Sequence, residues 1–550
     1  MTYSMINKDR KPFYWLNEES RTFLSRGYLK ENETGESRIQ DMAENAASIL
    51  GLGQSFVTEF YNYASLGYYS FSTPVWTNFG RKDGLAISCY GSYCDDSLDS
   101  ILNMGRELGM MSKYGGGTSA YVSAIRPRGT PISTGGLADG PTHYSHIFDT
   151  IIDKCKQAEA RRGACAIYLD IEHDDILEFL DIGKEGNDIQ NLQHGICVGN
   201  SFMEKMIAGD QHSRVVWAKL IESRKEVGYP YIFFKDNVND NSPYKEEIIL
   251  ASNLCSEICL PSNIDESFVC CLGSINLLHW DEIKDTNAIH CYTLFLNAVM
   301  QDFINKAKNL PGMGRAVRFA ENHRAIGIGV LGYHSYLQEH FIEFESIKAK
   351  QFNQEVFKTL KKDSYKASEY CHTELGISNS YIEGRANTTT MAIAPTKSSS
   401  FILGQVSLGI EPITSNYFVK DTAKVKSVYK NPTLLRHLES IGKNTPTIWK
   451  SILDNNGSVQ HLDIPNKEVF KSFVEISPME IITQAAQRQK FIDQSQSLNL
   501  SIHDDISIKD INQLYITAWK EGVKTLYYQI GESEAQNFAR EINSCIACES

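Results

Sequence analysis

The 550-residue sequence has no stretch of about 18 uncharged apolar residues, which argues against a membrane-crossing helix. Its opening, MTYSMINKDRKPFYWL, lacks the apolar centre of a secretory leader, so the expected location is the cytoplasm. An even cysteine count is missing too. Thirteen cysteines, spread from Cys89 to Cys548, suit a reducing compartment and make structural disulfides unexpected. There is no basic excess either: a net charge of -13 makes long nucleic acid a poor partner and leaves room only for small anions in local pockets. No internal repeat or low-complexity linker divides the chain, and only the polar end after Gln529 looks detached.

With 42% hydrophobic residues the chain can bury a large core, and one large domain is the expected organisation. Helical periodicity, as in RIQDMAENAASILG (38–51), alternates with short apolar runs such as AIYLDI (166–171), which predicts buried strands in an α/β architecture.

The segment SNLCSEICLP (252–261) carries an amide, two thiols and a carboxylate at every second position. On an extended backbone, Asn253, Cys255, Glu257 and Cys259 share one face, whereas a helix would fan them out. Pro261 favours extended geometry before it. From these residues alone, the chemistry stays open among a metal site, a thiol nucleophile, a redox centre and a packed core strand. A Cys-x3-Cys supplies only half a zinc site, no histidine lies close by in sequence, and a carboxylate fits a packed core poorly.

Further pieces follow in order: STPVWTNFGRKDGLAISCYGSYCDDSLDSI (72–101), VCCLGSINL (269–277), APTKSSS (394–400), KFIDQSQSLNL (490–500), KTLYYQIGES (524–533) and the terminal NSCIACES. Taken together, from about residue 15 to the end, they make the chain resemble the catalytic large subunit of class I ribonucleotide reductase. The resemblance implies a ten-stranded α/β barrel of two parallel five-stranded halves, with a finger loop carrying Cys255 through its centre. It implies three regions: an N-terminal helical region (1–84), the barrel (85–530) and a redox-active C-terminal tail (531–550).

In the same way it implies that Cys255 becomes a thiyl radical, that Glu257 is the base for the ribose 3'-hydroxyl, and that Asn253 binds the ribose hydroxyls. Cys89 and Cys270 are the implied redox pair, with Cys271 the neighbour that leaves the choice of partner open. Cys545 and Cys548 are the implied pair that re-reduces them. They lie 17 and 20 residues beyond Tyr528, a reach of up to about 60 Å for the nearer thiol at full extension. Tyr527 and Tyr528 match the inner end of a radical relay from a separate small subunit, whose metallocofactor supplies the radical, so this chain is expected to hold no metal or permanent cofactor of its own. The alternative is a cobalamin-dependent reductase of the same fold, in which the two tyrosines are incidental.

For substrate, a ribonucleoside diphosphate, the matching positions are Thr73, Ser88, Gly117, Pro395, Thr396, Lys397, Ser398 and Ser399, with Arg161 as base contact. For a nucleoside triphosphate effector at a homodimer interface they are Asp96, Ser97, Leu98 and Arg126. Ala158 and Glu159 replace a glycine pair usual in that family, and Ser133 stands where some relatives have arginine, so effector rules do not transfer. About 15 residues precede LNEESRTFLSRGYL, too few for the ATP-sensing module of many relatives, and dATP is expected not to inhibit through it. Thioredoxin or glutaredoxin is the expected reductant.

Overall fold

The computed structural model describes residues 10–155, 163–422, 425–503 and 505–531, with only the backbone of 419–422 and 425–427. Among the described residues there are thirteen strands: β1 (Tyr69–Phe71), β2 (Cys89–Tyr93), β3 (Thr118–Tyr121), β4 (Cys165–Asp170), β5 (Leu192–Val198), β6 (Tyr231–Phe234), β7 (Phe268–Asn276), β8 (Ile326–Leu331), β9 (Tyr417–Thr422), β10 (Val425–Lys430), β11 (Leu500–Ser501), β12 (Thr525–Leu526) and β13 (Gln529–Ile530). The run AIYLDI falls on β4 and the neighbouring Ile171, and RIQDMAENAASILG on the helix Gly35–Leu50. That helix starts at a reciprocal Thr34–Ser37 cap and stops at Gly51, whose positive φ of 68° only a residue without Cβ adopts cheaply. Ile39, Met42, Ala43, Ala46 and Ala47 line its buried face at helical spacing.

Strands β2 to β6 form one parallel half in sequence order. Helices bridge the successive strands, as parallel pairing requires, and the apolar runs of β4 and β6 are buried on both faces. The second half is also parallel: β7 pairs with β8, Ile328 of β8 with Met391, Ile393 with Gln496, and β11 with β13. Its later strands are short and joined by isolated bridges. Two antiparallel seams close the ring, β2 against β7 and β12 against β6. The expected ten-stranded barrel of two five-stranded halves is therefore present: β2, β3, β4, β5 and β6, then 525–530, 494–501, 391–393, β8 and β7.

Two features were not anticipated. The N-terminal part contributes a strand as well as helices, since β1 lies antiparallel to the later half of β7, in line with β2. A satellite core around Leu434, Leu438, Trp449, Ile452 and Phe470 sits apart from the main one, and the hairpin β9–β10 leads into it. Among the described residues no helix is long and apolar enough to cross a membrane.

Candidate active site

Residues 250–262 run through the barrel without regular structure, gripped from both halves. Tyr168 of β4 donates to the Asn253 carbonyl at 2.6 Å, the Ser497 hydroxyl to the Cys255 carbonyl at 2.6 Å, and the Ser495 amide to the Glu257 carbonyl at 2.8 Å. The loop is not extended as expected. It turns at 254–256, where Ser256 has φ 62°, and the Asn253 side chain closes the turn by accepting from the Ile258 amide at 3.1 Å. A side-chain acceptor near a Ser or Asn offers the backbone a turn in place of a strand, and here that option wins because both barrel walls also bond the loop.

The turn carries Cys255, buried, while Asn253 and Glu257 converge on one sulfur. The Asn253 amide donates to Cys89 Sγ at 3.2 Å and the Cys89 thiol lies 3.9 Å from Glu257 Oε1. Cys89 and Cys270 are directly opposed across the β2–β7 seam. Because side chains alternate along a strand, Cys270 shares the face of Cys89 and Cys271 points the other way. Gln494 donates to Cys270 Sγ at 3.4 Å. No disulfide joins the described cysteines.

Burial is the main influence on ionisation here. It raises both Cys89 and Cys270 well above an ordinary thiol, and the carboxylate of Glu257 adds to this, so both stay protonated. Burial likewise pushes Glu257 up to about 7, against the backbone, Asn253 and Ser497 hydrogen bonds that favour its charge. Ser497 holds Glu257 Oε2 at 3.1 Å.

Gly117 lies beside this cluster, where a Cβ would crowd the Leu254 side chain of the turn at 3.0 Å. A narrow cleft opens next to Ser88, lined by the hydroxyl residues Ser70, Ser72, Ser88, Ser274, Thr396 and Ser399. The buried Ser72 hydroxyl meets no hydrogen-bond partner among the described residues. Thr73 starts the adjoining helix and meets the Tyr28 hydroxyl at 3.2 Å. Pro395 and Ser398 are buried in the same loop. Lys397 is exposed and lines the next cavity, with Phe401, Ser407 and Pro412, so it stands apart from the serine cluster.

Tyr527 and Tyr528 follow β12, at the seam across the barrel from the cysteine pair. Their ring centroids are 4.4 Å apart, and Tyr231 of β6 donates its hydroxyl to that of Tyr528 at 2.8 Å. The Tyr527 amide bonds the Leu498 carbonyl, so segment 494–500 touches both the tyrosines and the finger loop.

The expected effector residues form a separate group. Asp96 accepts from the Arg126 guanidinium at 2.7 Å and from its amide at 3.1 Å, Ser97 caps the helix Leu98–Lys113, and Leu98 is 62% exposed. They lie beyond the opposite end of β2 from Cys89, roughly 20 Å away at 3.3 Å per residue. Arg161, Cys545 and Cys548 lie outside the described residues.

The sequence reading left out Gln494, Ser497, Tyr168 and Tyr231. A signal existed for the first two: DQSQSLNL places Gln494, Gln496 and Ser495, Ser497, Asn499 at period two, and all are buried. Buried polar groups at strand spacing have partners to satisfy.

The family model for the ribonucleotide reductase barrel domain matches residues 87–215, 210–384 and 378–529. The ribonucleoside-diphosphate reductase large subunit of Invertebrate iridescent virus 3 is 31% identical over 92% of each chain. Large chain 2 of the Saccharomyces cerevisiae enzyme is 27% identical over 92% of this chain and 68% of its own. Among solved structures, the alpha subunit of the Actinobacillus ureae class Id ribonucleotide reductase is 51% identical, covering 95% of this chain and 98% of that one with a TM-score of 0.90.

Proposed function

The chain belongs to the ribonucleotide reductase family, and from that premise we propose how its own residues carry out the reaction. It is a ribonucleoside-diphosphate reductase large subunit of class I, and works with a small subunit and a thioredoxin-type reductant. The observation that carries the assignment of roles is the meeting, at one point in the barrel, of an opposed thiol pair with the amide and carboxylate of the finger loop.

In this reading Cys255, oxidised by one electron to a thiyl radical, takes the hydrogen from C3' of the ribose. Glu257 accepts the proton of the 3'-hydroxyl and Asn253 orients the hydroxyls. Loss of the 2'-hydroxyl as water and reduction of C2' consume two electrons and two protons, which Cys89 and Cys270 supply as they close to a disulfide. Cys255 then returns its hydrogen to C3'. Protonated thiols suit this, since each gives up a proton as well as an electron. Holding sugar and sulfur in contact is the main task left to the fold. The hydroxyl-lined cavity beside Ser88 and Ser399 receives the diphosphate, with Thr73, Gly117 and the 395–398 backbone around it and Arg161 toward the base. Lys397 contributes charge from outside.

Tyr527 and Tyr528 relay the radical from the small subunit, where a metallocofactor generates it, and Cys545 and Cys548 pass electrons from thioredoxin or glutaredoxin to the internal pair. Asp96, Ser97, Leu98 and Arg126 take a nucleoside triphosphate effector at a homodimer interface, for which the exposed Leu98 and Leu102 of one helix supply apolar surface. CDP reduction by the purified chain mixed with small subunit, reductant and effector tests the whole scheme; no dCDP from the full mixture would refute it.

Two expected outcomes follow for single residues. With Glu257 at about 7, kcat should rise roughly tenfold from pH 6 to pH 8 as the base ionises, and Glu257→Gln should lose both activity and that slope. Its stability should respond oppositely. The native carboxyl binds its proton more tightly than the unfolded one, so folding stability is lost as pH rises from about 4.5 to about 7. Glu257→Gln should therefore be more stable than the parent at pH 8, by up to about 3 kcal/mol in thermal or urea unfolding. Cys545→Ser should allow about one turnover per site with thioredoxin and then stall, while a small dithiol restores cycling. Sustained thioredoxin-driven turnover would contradict the role given to that thiol.

A further inference from the structure

Glu411 is a buried carboxylate that the scheme above leaves unused. Glu411 lies two residues beyond Gly409, whose amide donates to the Thr396 hydroxyl oxygen at 2.8 Å and so ties this segment to the phosphate loop. Glu411 Oε1 accepts from Asn499 Nδ2 at 2.6 Å. The other end of the same amide, Asn499 Oδ1, accepts from the backbone amide of Tyr528 at 3.0 Å. A single side chain therefore joins the loop that lines the substrate cavity to the strand that carries the outer tyrosine.

We infer that Asn499, held by Glu411, is a positioning residue for radical entry: it fixes Tyr528 in register with the phosphate loop, so that hydrogen transfer at Tyr528 runs only when that loop is set. The inference rests on the relay role proposed for Tyr528 and goes beyond it, since Asn499 meets only the backbone of Tyr528 and Glu411 acts through Asn499.

Three features support a dedicated bridge over ordinary packing. The amide is used at both ends, its Nδ2 donating to the carboxyl and its Oδ1 accepting from the peptide, so one side chain spans two partners. Burying a carboxyl is costly unless it is needed, and burial indeed pushes Glu411 up to about 7, with Lys397 of the phosphate loop and Asn499 pulling the other way. The tyrosine strand is otherwise pinned at this point by short pairings: Leu500 donates to the Tyr528 carbonyl at 3.0 Å and the Gln529 amide to Gly228 at 2.8 Å. Loss of the bridge would take the partner from the Tyr528 amide while both of these pairings stay in place.

The test uses pre-reduced holoenzyme, chain plus small subunit, mixed rapidly with CDP and effector, reading the rate of the first dCDP formed; CDP binding and thermal unfolding are read separately. Asn499→Asp keeps the acceptor for Tyr528 but sets a carboxylate against Glu411. It should slow the first turnover at least about tenfold with CDP affinity within about twofold of the parent. Adding Glu411→Gln rebuilds the bond with donor and acceptor exchanged, and the double variant should recover to within about threefold. If Asn499→Asp fails to fold, Glu411→Met, which removes the acceptor without adding charge, should give the same slowed first turnover. An unchanged first turnover in either single variant, or a double variant no faster than Asn499→Asp, overturns the inference. Tyr528→Phe in the same assay separates the premise: if that variant still gives a full first turnover the relay itself is wrong, whereas a silent Tyr528→Phe beside unaffected bridge variants condemns the bridge alone.

Discussion

Cys255→Ser should abolish CDP reduction, lowering turnover on the order of 10⁵-fold or more while nucleotide affinity stays near that of the parent. The change is nearly isosteric, and the backbone around it is held by contacts that serine leaves intact: Ser497 to the residue-255 carbonyl and Tyr168 to Asn253. What is lost is the S–H bond, weak enough to be opened by a one-electron relay and close enough in strength to a ribose C–H to exchange with it. A serine O–H is far stronger and cannot be oxidised by the same partner. The measurement is dCDP formed per active site under saturating effector and reductant, beside equilibrium CDP binding. Retained turnover would remove Cys255 from the reaction. Loss of binding along with turnover would point to a damaged loop instead.

The second large effect is expected at Tyr528. Phenylalanine there keeps the tilted ring contact with Tyr527, 4.4 Å between centroids, and loses the hydroxyl that receives the Tyr231 hydrogen bond. One such bond is worth about 1 kcal/mol in stability, so the fold should survive with a small fall in Tm. Radical transfer should not, because a phenyl ring has no acidic proton to shed and is much harder to oxidise than a phenol. Turnover should fall by about 10³-fold or more, with CDP and effector binding unchanged. Activity that survived, and rose on adding adenosylcobalamin to the chain alone, would mean that the radical is made inside the barrel.

The sequence made some parts of this molecule legible and hid others for physical reasons. The buried strand at AIYLDI and the helix after Thr34 obey local rules of hydrophobic spacing and capping, and both were readable. The opposition of Cys89 and Cys270 is a matter of register between residues 181 positions apart, which no local pattern specifies; once β2 and β7 pair, alternation alone separates Cys270 from Cys271. Extended geometry at 253–259 was a fair reading of alternating polarity, but it failed because Asn253 spends its side chain on the Ile258 amide and Ser256 turns to positive φ. Lys397 and its serine neighbours are adjacent in sequence but part in the fold: its side chain lines the outer cavity while Thr396 and Ser399 line the inner one. The polar partners Gln494 and Ser497 were hidden in a motif whose alternation could be seen but whose neighbours could not.

The two antiparallel seams have a consequence of their own. On the proposed roles, the thiols that donate electrons straddle one junction of the half-barrels, and the phenols that withdraw one sit at the junction diametrically across. The ring thus keeps its oxidant and its reductant on opposite walls, with the sugar between them, so that neither can discharge into the other without passing through the substrate. Damage to one wall should leave an enzyme that never begins, and damage to the other an enzyme that begins and cannot finish.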